Sequence, residues 1–513
     1  MGQGIRPFKV LLRQLLKITD FIYVIDIVIL AIYRTSEKRT LNIKKIFNKR
    51  SIKNKSLIIF IIILILFFQI YITNNMLGNR KPLVLYNENT SSFINVYGII
   101  PLYFYEYYTF TLFSEDQIVE NEPSPPPEEE LSGERVVKRD HNIIVIQVES
   151  LDNKILDYEY EGKEITPFLN ELKDESVYFD NFYAQHINGS FDAEFSFLTS
   201  IYPINKNYGF KVNDLSQFDS LVKILNKKNY RTLAFHGNDK EFFHREKAFP
   251  ELGFDKFYSK ENFTFENRKM NMEESVFGIN DYDFFLQSFD YLKDSENPFF
   301  AFLITVSSHT PFDTYPPQES IDDFSEINNP LVRDYFNSMS FVDKSLEMFF
   351  DKIKTAGLEE NTLIMIYSDH NAGINKEDYN SDKKFVMEKN VKTPENVPLL
   401  IVYPELENNT LNKEGTTTDL APTILDILGV KKKPEEFLGS SLLSEEDSPV
   451  LFLHENPLIL FKGQLFSRIN TGIEKIGYTV KQGNKEINLP NKKDIIDLIE
   501  YMRGIIYKRR VDS

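Results

Sequence analysis

The chain has 513 residues, is 42% hydrophobic and 26% charged, and carries a formal net charge of −17. That length allows two or three folding units with a sizeable core, and the acidic balance excludes the basic surface of a general nucleic-acid binder. The absence of cysteine excludes a disulfide scaffold, a thiolate metal site and a cysteine nucleophile.

Residues 15–33 (LLKITDFIYVIDIVILAIY) form an apolar stretch interrupted by Asp20 and Asp26. An aspartate near the centre of a spanning helix costs about 2.5–3.5 kcal/mol and faces another helix or a polar cavity. The stretch reads as a membrane span or as an interfacial amphipathic helix, which Arg6, Lys9, Arg13 and Lys17 would suit. Residues 57–73 (LIIFIIILILFFQIYIT) hold only Gln69 as a strongly polar side chain. With their flanks they reach the roughly 20 residues that cross hydrocarbon, and their uniform apolarity reads as a span rather than a core helix. Between the two, nine Lys or Arg face a single acid, Glu37, from Arg34 to Lys55. The positive-inside rule assigns that segment to the cytoplasm, so the chain beyond Thr73 emerges outside. An aromatic-rich stretch (PLYFYEYYTFTLF, 101–113) and a Pro/Glu-rich run within 114–140 follow. The second has the composition of an extended, solvated spacer.

From His141 onward, nearly continuous apolar runs alternate with helical patterns. The strands expected are 143–149, 231–236, 299–306, 362–367 and 398–403, and the helices include 166–175, 217–227 and 333–356. Continuous apolar strands are covered on both faces, which predicts a mainly parallel, doubly wound α/β sheet. Ligands gather at the carboxyl ends of such strands. Those ends carry Glu149, His236, His309 and the pair Asp369-His370, so three of only seven histidines meet two carboxylates there. Carboxylate and imidazole together suit a hard or borderline divalent ion, and a metal makes a serine hydroxyl a competent nucleophile. Ser190 stands where a loop yields to a helix beginning near Asp192. It is a nucleophile beside an anion-binding helix start or, equally, a helix cap. In the tail, 476–489 reads as a hairpin and 494–507 as a helix packing on the domain. His454 has no evident partner and reads as structural.

The segments VIQVESLD (145–152), GSFDAEFSFLTSIYP (189–203), AFHGNDKEFFHR (234–245), ITVSSHTPF (304–312), MIYSDHNAG (365–373) and TTDLAPTILDILGV (417–430) resemble, in order, those of the lipoteichoic acid synthase group. These are phosphoglycerol transferases of the alkaline phosphatase and sulfatase superfamily. The resemblance covers roughly 141–432 and implies an alkaline-phosphatase-like sandwich with a mainly parallel central sheet, preceded by N-terminal transmembrane helices. It implies metal ligands at Glu149, Asp369, His370 and Ser190, with Ser190 as nucleophile and His309 as general acid near the leaving group. Substrate contacts are implied at His236, Asn238, Phe243, Arg245 and His309, the guanidinium suiting a bidentate grip on a phosphodiester. The implied cofactor is Mn²⁺, with Mg²⁺ a substitute. The implied partners are phosphatidylglycerol, a glycolipid or teichoic acid acceptor, and the membrane, with no nucleic acid. The expected organisation is a membrane region over 1–80, a juxtamembrane segment and spacer over 81–140, an extracellular phosphotransferase domain over 141–432 and a C-terminal subdomain over 433–513. The whole is expected to be a multi-pass protein of the cell membrane.

The chain departs from the family at several points. Serine stands at 190 where threonine is usual, Gly189 precedes it in place of a lysine-like residue, and Asn238 stands where aspartate is frequent. Residues 74–140 contain no alanine and so no Ala-x-Ala cleavage site. The resemblance implies five transmembrane helices, of which this chain is expected to begin near the fourth. A sulfatase needs a Cys or Ser in a C/S-x-P-x-R context, which Ser190-Phe-Asp-Ala-Glu does not offer. A phosphoethanolamine transferase or phosphodiesterase on the same scaffold, and an inactive polymer-binding module, are the alternatives.

Overall fold

The structure is a computed structural model. It describes Leu131 and residues 141–264, 278–293, 295, 298–312, 324–374, 384–388, 392–454, 457–469, 472–490 and 492–510. The chain divides at Glu120/Asn121 into two units, and every described residue belongs to the second. Both apolar stretches expected to span a membrane lie outside the described residues. Among those described, no helix is long and apolar enough to cross one.

In chain order the principal elements are β1 (Asn142–Val148), α1 (Pro167–Asp174), β2 (Val177–Phe179), α2 (Phe191–Thr199), α3 (Leu221–Lys227), β3 (Arg231–His236), α4 (Arg245–Leu252), β4 (Lys256–Tyr258), α5 (Asp281–Leu292), β5 (Phe299–Ile304), α6 (Pro330–Thr355) and β6 (Thr362–Ser368). They continue with β7 (Phe385–Met387), β8 (Leu399–Val402), β9 (Asn409–Leu411), α7 (Leu420–Ile427), β10 (Val450–Phe452), β11 (Leu458–Phe461), β12 (Gln464–Ile469), β13 (Gly472–Thr479) and α8 (Lys492–Lys508). An eight-stranded sheet has the order β9-β2-β8-β6-β1-β5-β3-β4. Every strand in it runs the same way except β8, which is antiparallel to both β6 and β2. The five predicted strands are thus β1, β3, β5, β6 and β8.

Period-two alternation sorts the side chains of β1 onto two covered faces. Ile143 and Val145 enter one core with residues of α2, α3, α4, α7 and α8. Ile144, Ile146 and Val148 enter the other with α1, α5 and α6. Burial on both faces is why these strands read as continuous apolar runs. Their polar residues are accommodated singly: buried Gln147 accepts a hydrogen bond from the Tyr367 hydroxyl at 2.7 Å.

A second, antiparallel sheet has the order β7-β13-β12-β11-β10. Here the tail differs from expectation. The hairpin joins β12 to β13, and residues 480–489 hold no strand. The extended run ends because Gln482 and Gly483 fold back onto the Thr479 carbonyl, with Gly483 at φ +67°, a conformation that suits glycine. The tail helix is α8, which buries Ile495, Ile499, Met502 and Ile506 at helical spacing in the first core.

Candidate active site

Four strand ends of the large sheet converge on one edge. Glu149 follows β1, His236 closes β3, residues 305–309 follow β5, and Asp369-His370 follows β6. The ligand atoms of Glu149, Asp369 and His370 all lie within 4.8 Å of one another. His370 Nε2 is 3.2 Å from Glu149 Oε1 and 3.5 Å from Asp369 Oδ2. His370 Nδ1 bonds the Asn371 carbonyl at 2.8 Å. This bond fixes the ring and leaves Nε2 facing the carboxylates.

The donor set fits a divalent cation. Asp369 is fully buried, and its Oδ2 has no hydrogen-bond partner, an arrangement that costs free energy unless a cation or proton satisfies it. Burial and the neighbouring Glu149 push the Asp369 carboxyl up to about 8. Against its own burial, Glu149 is held well below the usual carboxylate range by His370. Burial opposes protonation of His370, yet Asp369 and Glu149 raise it well above the ordinary imidazole value. The cluster therefore favours positive charge among its three ligand atoms.

Ser150 ties the two carboxylates together. Its N–H donates to Asp369 Oδ1 at 3.0 Å and its hydroxyl to Glu149 Oε1 at 3.0 Å. It does so at φ +56°, a left-handed conformation that costs a non-glycine residue roughly 1–2 kcal/mol. The loop after β5 is held to the same place: Glu149 N–H donates to Thr305 Oγ1 at 2.9 Å, and the Ser308 hydroxyl to the Glu149 carbonyl at 2.6 Å. Buried Asp281 accepts the amides of Val306 and Ser307 at 2.9 and 3.1 Å. His309 at the end of this loop has Nδ1 bonded to the Thr310 carbonyl at 2.7 Å.

Ser190 immediately precedes α2 and makes no capping hydrogen bond. From inside the helix, the Asp192 carboxylate instead accepts the amides of Ile187 and Asn188 in the preceding loop at 3.0 and 2.5 Å, which fixes the loop that carries Ser190. Of the two roles open from sequence, the structure removes the cap. A pocket of about 300 Å³, partly open to solvent, is lined by Glu149, Ser190, His236, Asn238, Phe242, Phe243, Arg245, Val306 and His309. All of the sequence-nominated residues except Asp369 and His370 thus line one pocket, and that pair joins it through Glu149.

The inner wall differs from expectation in detail. The paired donors of Arg245 engage Glu194, Nε to Oε2 at 2.9 Å and Nη2 to Oε1, so the fork is spent inside the protein. Arg245 Nη1 also donates to His236 Nε2 at 3.2 Å and to the Phe242 carbonyl at 3.3 Å. His236 Nδ1 bonds the Ile304 carbonyl at 3.2 Å. Burial and Arg245 hold its pKa well below the ordinary value, so the ring is neutral and braces the guanidinium. The Asn238 side-chain oxygen accepts the Asp239 amide at 2.7 Å.

On the other flank of His370, the His186 ring stacks at 4.4 Å and 23°. Glu395 lies 3.5 Å from His186 Nδ1 and pairs with Lys392 at 2.7 Å. His186, His370 and Glu395 are close enough to share an ion. However, imidazole lone pairs lie in the ring planes, and those of stacked rings run side by side rather than converging. His186 and Glu395 therefore prop His370. Burial and the Lys392 ammonium push the nearby His454 down to about 4. Sequence reading missed Ser150, Glu194, Asp281, His186 and Glu395. The one signal available was the glutamate in FDAEFSFLT, flanked by Ala193 and Phe195 in a helix rich in phenylalanine.

Comparison with known proteins agrees with this architecture. The sulfatase family model matches residues 141–430. The chain is 35% identical over 322 residues to lipoteichoic acid synthase 2 of Bacillus subtilis, covering 60% of this chain and 48% of that protein. It is 28% identical over 395 residues to the lipoteichoic acid synthase of Staphylococcus aureus, covering 73% and 60%. The chain thus spans about half the length of these relatives. Among solved structures, the lipoteichoic acid synthase LtaP of Listeria monocytogenes superposes with a TM-score of 0.65 at 23% identity, covering 75% of this chain and 98% of that one. An alkaline phosphatase superfamily protein of Vibrio parahaemolyticus gives 0.60 at 21%, covering 76% and 92%. At such identities the two structures speak for the fold.

Proposed function

The chain belongs to the sulfatase family within the alkaline phosphatase superfamily, and from that premise we propose that it transfers glycerophosphate from phosphatidylglycerol to a glycolipid or polyglycerophosphate acceptor. The observation that carries the proposal is the meeting of a buried Glu149–Asp369–His370 group with Ser190 and His309 at a single pocket. The lipoteichoic acid synthases among its relatives supply the substrate class.

A divalent cation, Mn²⁺ or Mg²⁺, held by Glu149, Asp369 and His370 with the Ser190 oxygen would lower the serine pKa and polarise the phosphoryl group. Ser190 Oγ, having released its proton to solvent, bonds to phosphorus as the bond from phosphorus to the diacylglycerol oxygen breaks. His309 protonates that leaving oxygen. An acceptor hydroxyl then takes the glycerophosphoryl group from Ser190, and the hydroxyl's proton departs to His309. Arg245, with its fork engaged by Glu194, contributes positive charge to the pocket wall, and Phe243 and Asn238 line the space for the glycerol. Membrane spans over 15–33 and 57–73 would hold the catalytic unit, 141–432 with its tail 433–513, at the outer leaflet where donor and acceptor lie.

The test is turnover of headgroup-labelled phosphatidylglycerol by the parent and by Ser190→Ala, with Mn²⁺ and a glycolipid acceptor. The parent releases diacylglycerol and the variant does not; equal turnover by both would overturn the mechanism. Labelled phosphatidylethanolamine in parallel separates glycerophosphate from phosphoethanolamine transfer, and a water-only product identifies a phosphodiesterase.

A further inference from the structure

Beyond Ile304 the strand ladder of β5 ends, and the chain turns towards His309 through Thr305, Val306, Ser307 and Ser308, all of them buried. Buried backbone amides need partners. Thr305 keeps one in β1, its amide donating to the Gln147 carbonyl at 3.1 Å. The next two amides, of Val306 and Ser307, have left the ladder. Asp281 takes both, Oδ1 accepting at 2.9 Å and Oδ2 at 3.1 Å. The clamp also closes in the other direction, because the Asp281 amide donates to Ser307 Oγ at 2.9 Å. Val306 in turn accepts the His309 amide on its carbonyl at 3.1 Å. The turn that brings His309 to the pocket therefore hangs on a residue that Asp281 holds.

The setting of Asp281 suits this duty. It opens α5, yet the cap of that helix is Asn280, whose side chain accepts the Asp283 amide at 2.9 Å. The Asp281 carboxylate is left to face the loop from the first turn of a helix, where negative charge is favoured. Close backbone approach fixes where α5 begins. Gly278 has φ +130°, and a Cβ added there would lie 2.1 Å from the Gly237 carbonyl oxygen. The Ile279 amide donates to that same oxygen at 2.9 Å. Gly237 directly follows His236 at the end of β3, so residues 278–281 fasten the β3 edge to the β5 loop.

We propose that Asp281 is a positioning residue for the reaction: its carboxylate holds the 305–309 turn so that the His309 ring meets the oxygen of the departing diacylglycerol. The inference rests on the reading of His309 as general acid given above. Asp281 does not line the pocket and acts through His309. Glu149 has ties of its own to the hydroxyls of Thr305, Ser308 and Ser150, so loosening the Asp281 clamp touches the acid before the metal ligands.

A donor whose leaving group departs without a proton separates this role from general support of the fold. Diacylglycerol leaves as an alcohol and needs a proton. Glycerophospho-p-nitrophenol breaks the corresponding phosphorus–oxygen bond and releases p-nitrophenolate, which keeps the electron pair and needs none. In the full chain, solubilised and supplied with Mn²⁺, Asp281→Asn turns one accepting oxygen into a donor that faces an amide. It should lower kcat on phosphatidylglycerol about tenfold or more with KM within about twofold, and lower kcat on the aryl diester less than about threefold. His309→Ala should show the same contrast, and the double variant should be within about twofold of His309→Ala alone. Ser307→Ala, which removes only the acceptor of the Asp281 amide, should give a smaller loss with the same contrast and guards against a variant that fails to fold. Hydrogen exchange of the peptide 305–309 should be about tenfold faster in Asp281→Asn, with 299–304 unchanged. Equal losses on the two donors in Asp281→Asn, while His309→Ala keeps the contrast, overturn the inference. So does a double variant slowed by the product of the single losses. If the parent releases no diacylglycerol, or His309→Ala shows no contrast, the general-acid reading fails; the exchange rate then decides whether Asp281 holds the loop, and unchanged exchange overturns that too.

Discussion

Removing Glu194 is expected to be among the most damaging single changes in the pocket wall. The carboxylate and Arg245 are 0% and 2% exposed and joined through both oxygens. Glu194→Ala leaves a buried guanidinium whose remaining partners are a neutral histidine ring and one carbonyl. Breaking a buried pair from one side costs about 3–5 kcal/mol because the other charge stays uncompensated. Removing both charges forfeits less, since the desolvation penalty disappears with them. The double variant Glu194→Ala/Arg245→Met should therefore be less destabilised than Glu194→Ala alone, with a coupling of about 2 kcal/mol or more. Urea unfolding of the solubilised chain, followed by near-ultraviolet tyrosine dichroism, gives the four corners of the cycle. Additive effects within about 0.5 kcal/mol would refute the assignment of Glu194 as the internal partner of Arg245.

Three further outcomes are expected. Ser150→Ala, which removes the bond to Glu149, should weaken Mn²⁺ binding about tenfold by titration calorimetry; Ser150→Gly relieves the positive φ but should bind no better than the alanine variant. Chelation should lower the thermal midpoint, and Mn²⁺ at about 100 times its Kd should restore about 2.7 kcal/mol, an effect that Asp369→Asn should abolish. For His454, burial depresses the folded pKa from 6.5 to about 4. The stability it confers is complete above pH 6.5 and is lost as pH falls towards 4, because only the unfolded chain takes up the proton in that window. The loss is on the order of 3 kcal/mol, and His454→Gln should flatten the corresponding part of the pH profile of the unfolding midpoint.

The carboxyl-edge residues were legible because a strand buried on both faces announces itself as an unbroken apolar run, and whatever polar residue follows stands at the sheet edge. Glu149, His236, His309 and Asp369-His370 were located that way. The role of Ser190 was not, since a serine before a helix is equally a cap; only the absence of a capping bond from its side chain speaks against that reading. The tail hairpin was misplaced because β13 pairs upstream with β12, and pairing partners are invisible to period-two alternation.

Residue order alone carried the α/β class, the strand list and the candidate ligand group Glu149, Asp369 and His370, because these follow from local periodicity and from the chemistry of side chains at strand ends. Tertiary packing decided which groups neutralise one another. Glu194 takes the fork of Arg245 from 51 positions away, His186 stacks on His370, and Ser150 reaches two carboxylates from a left-handed backbone. Burial makes each unpaired charge costly, and the partner that relieves it is set by proximity in space.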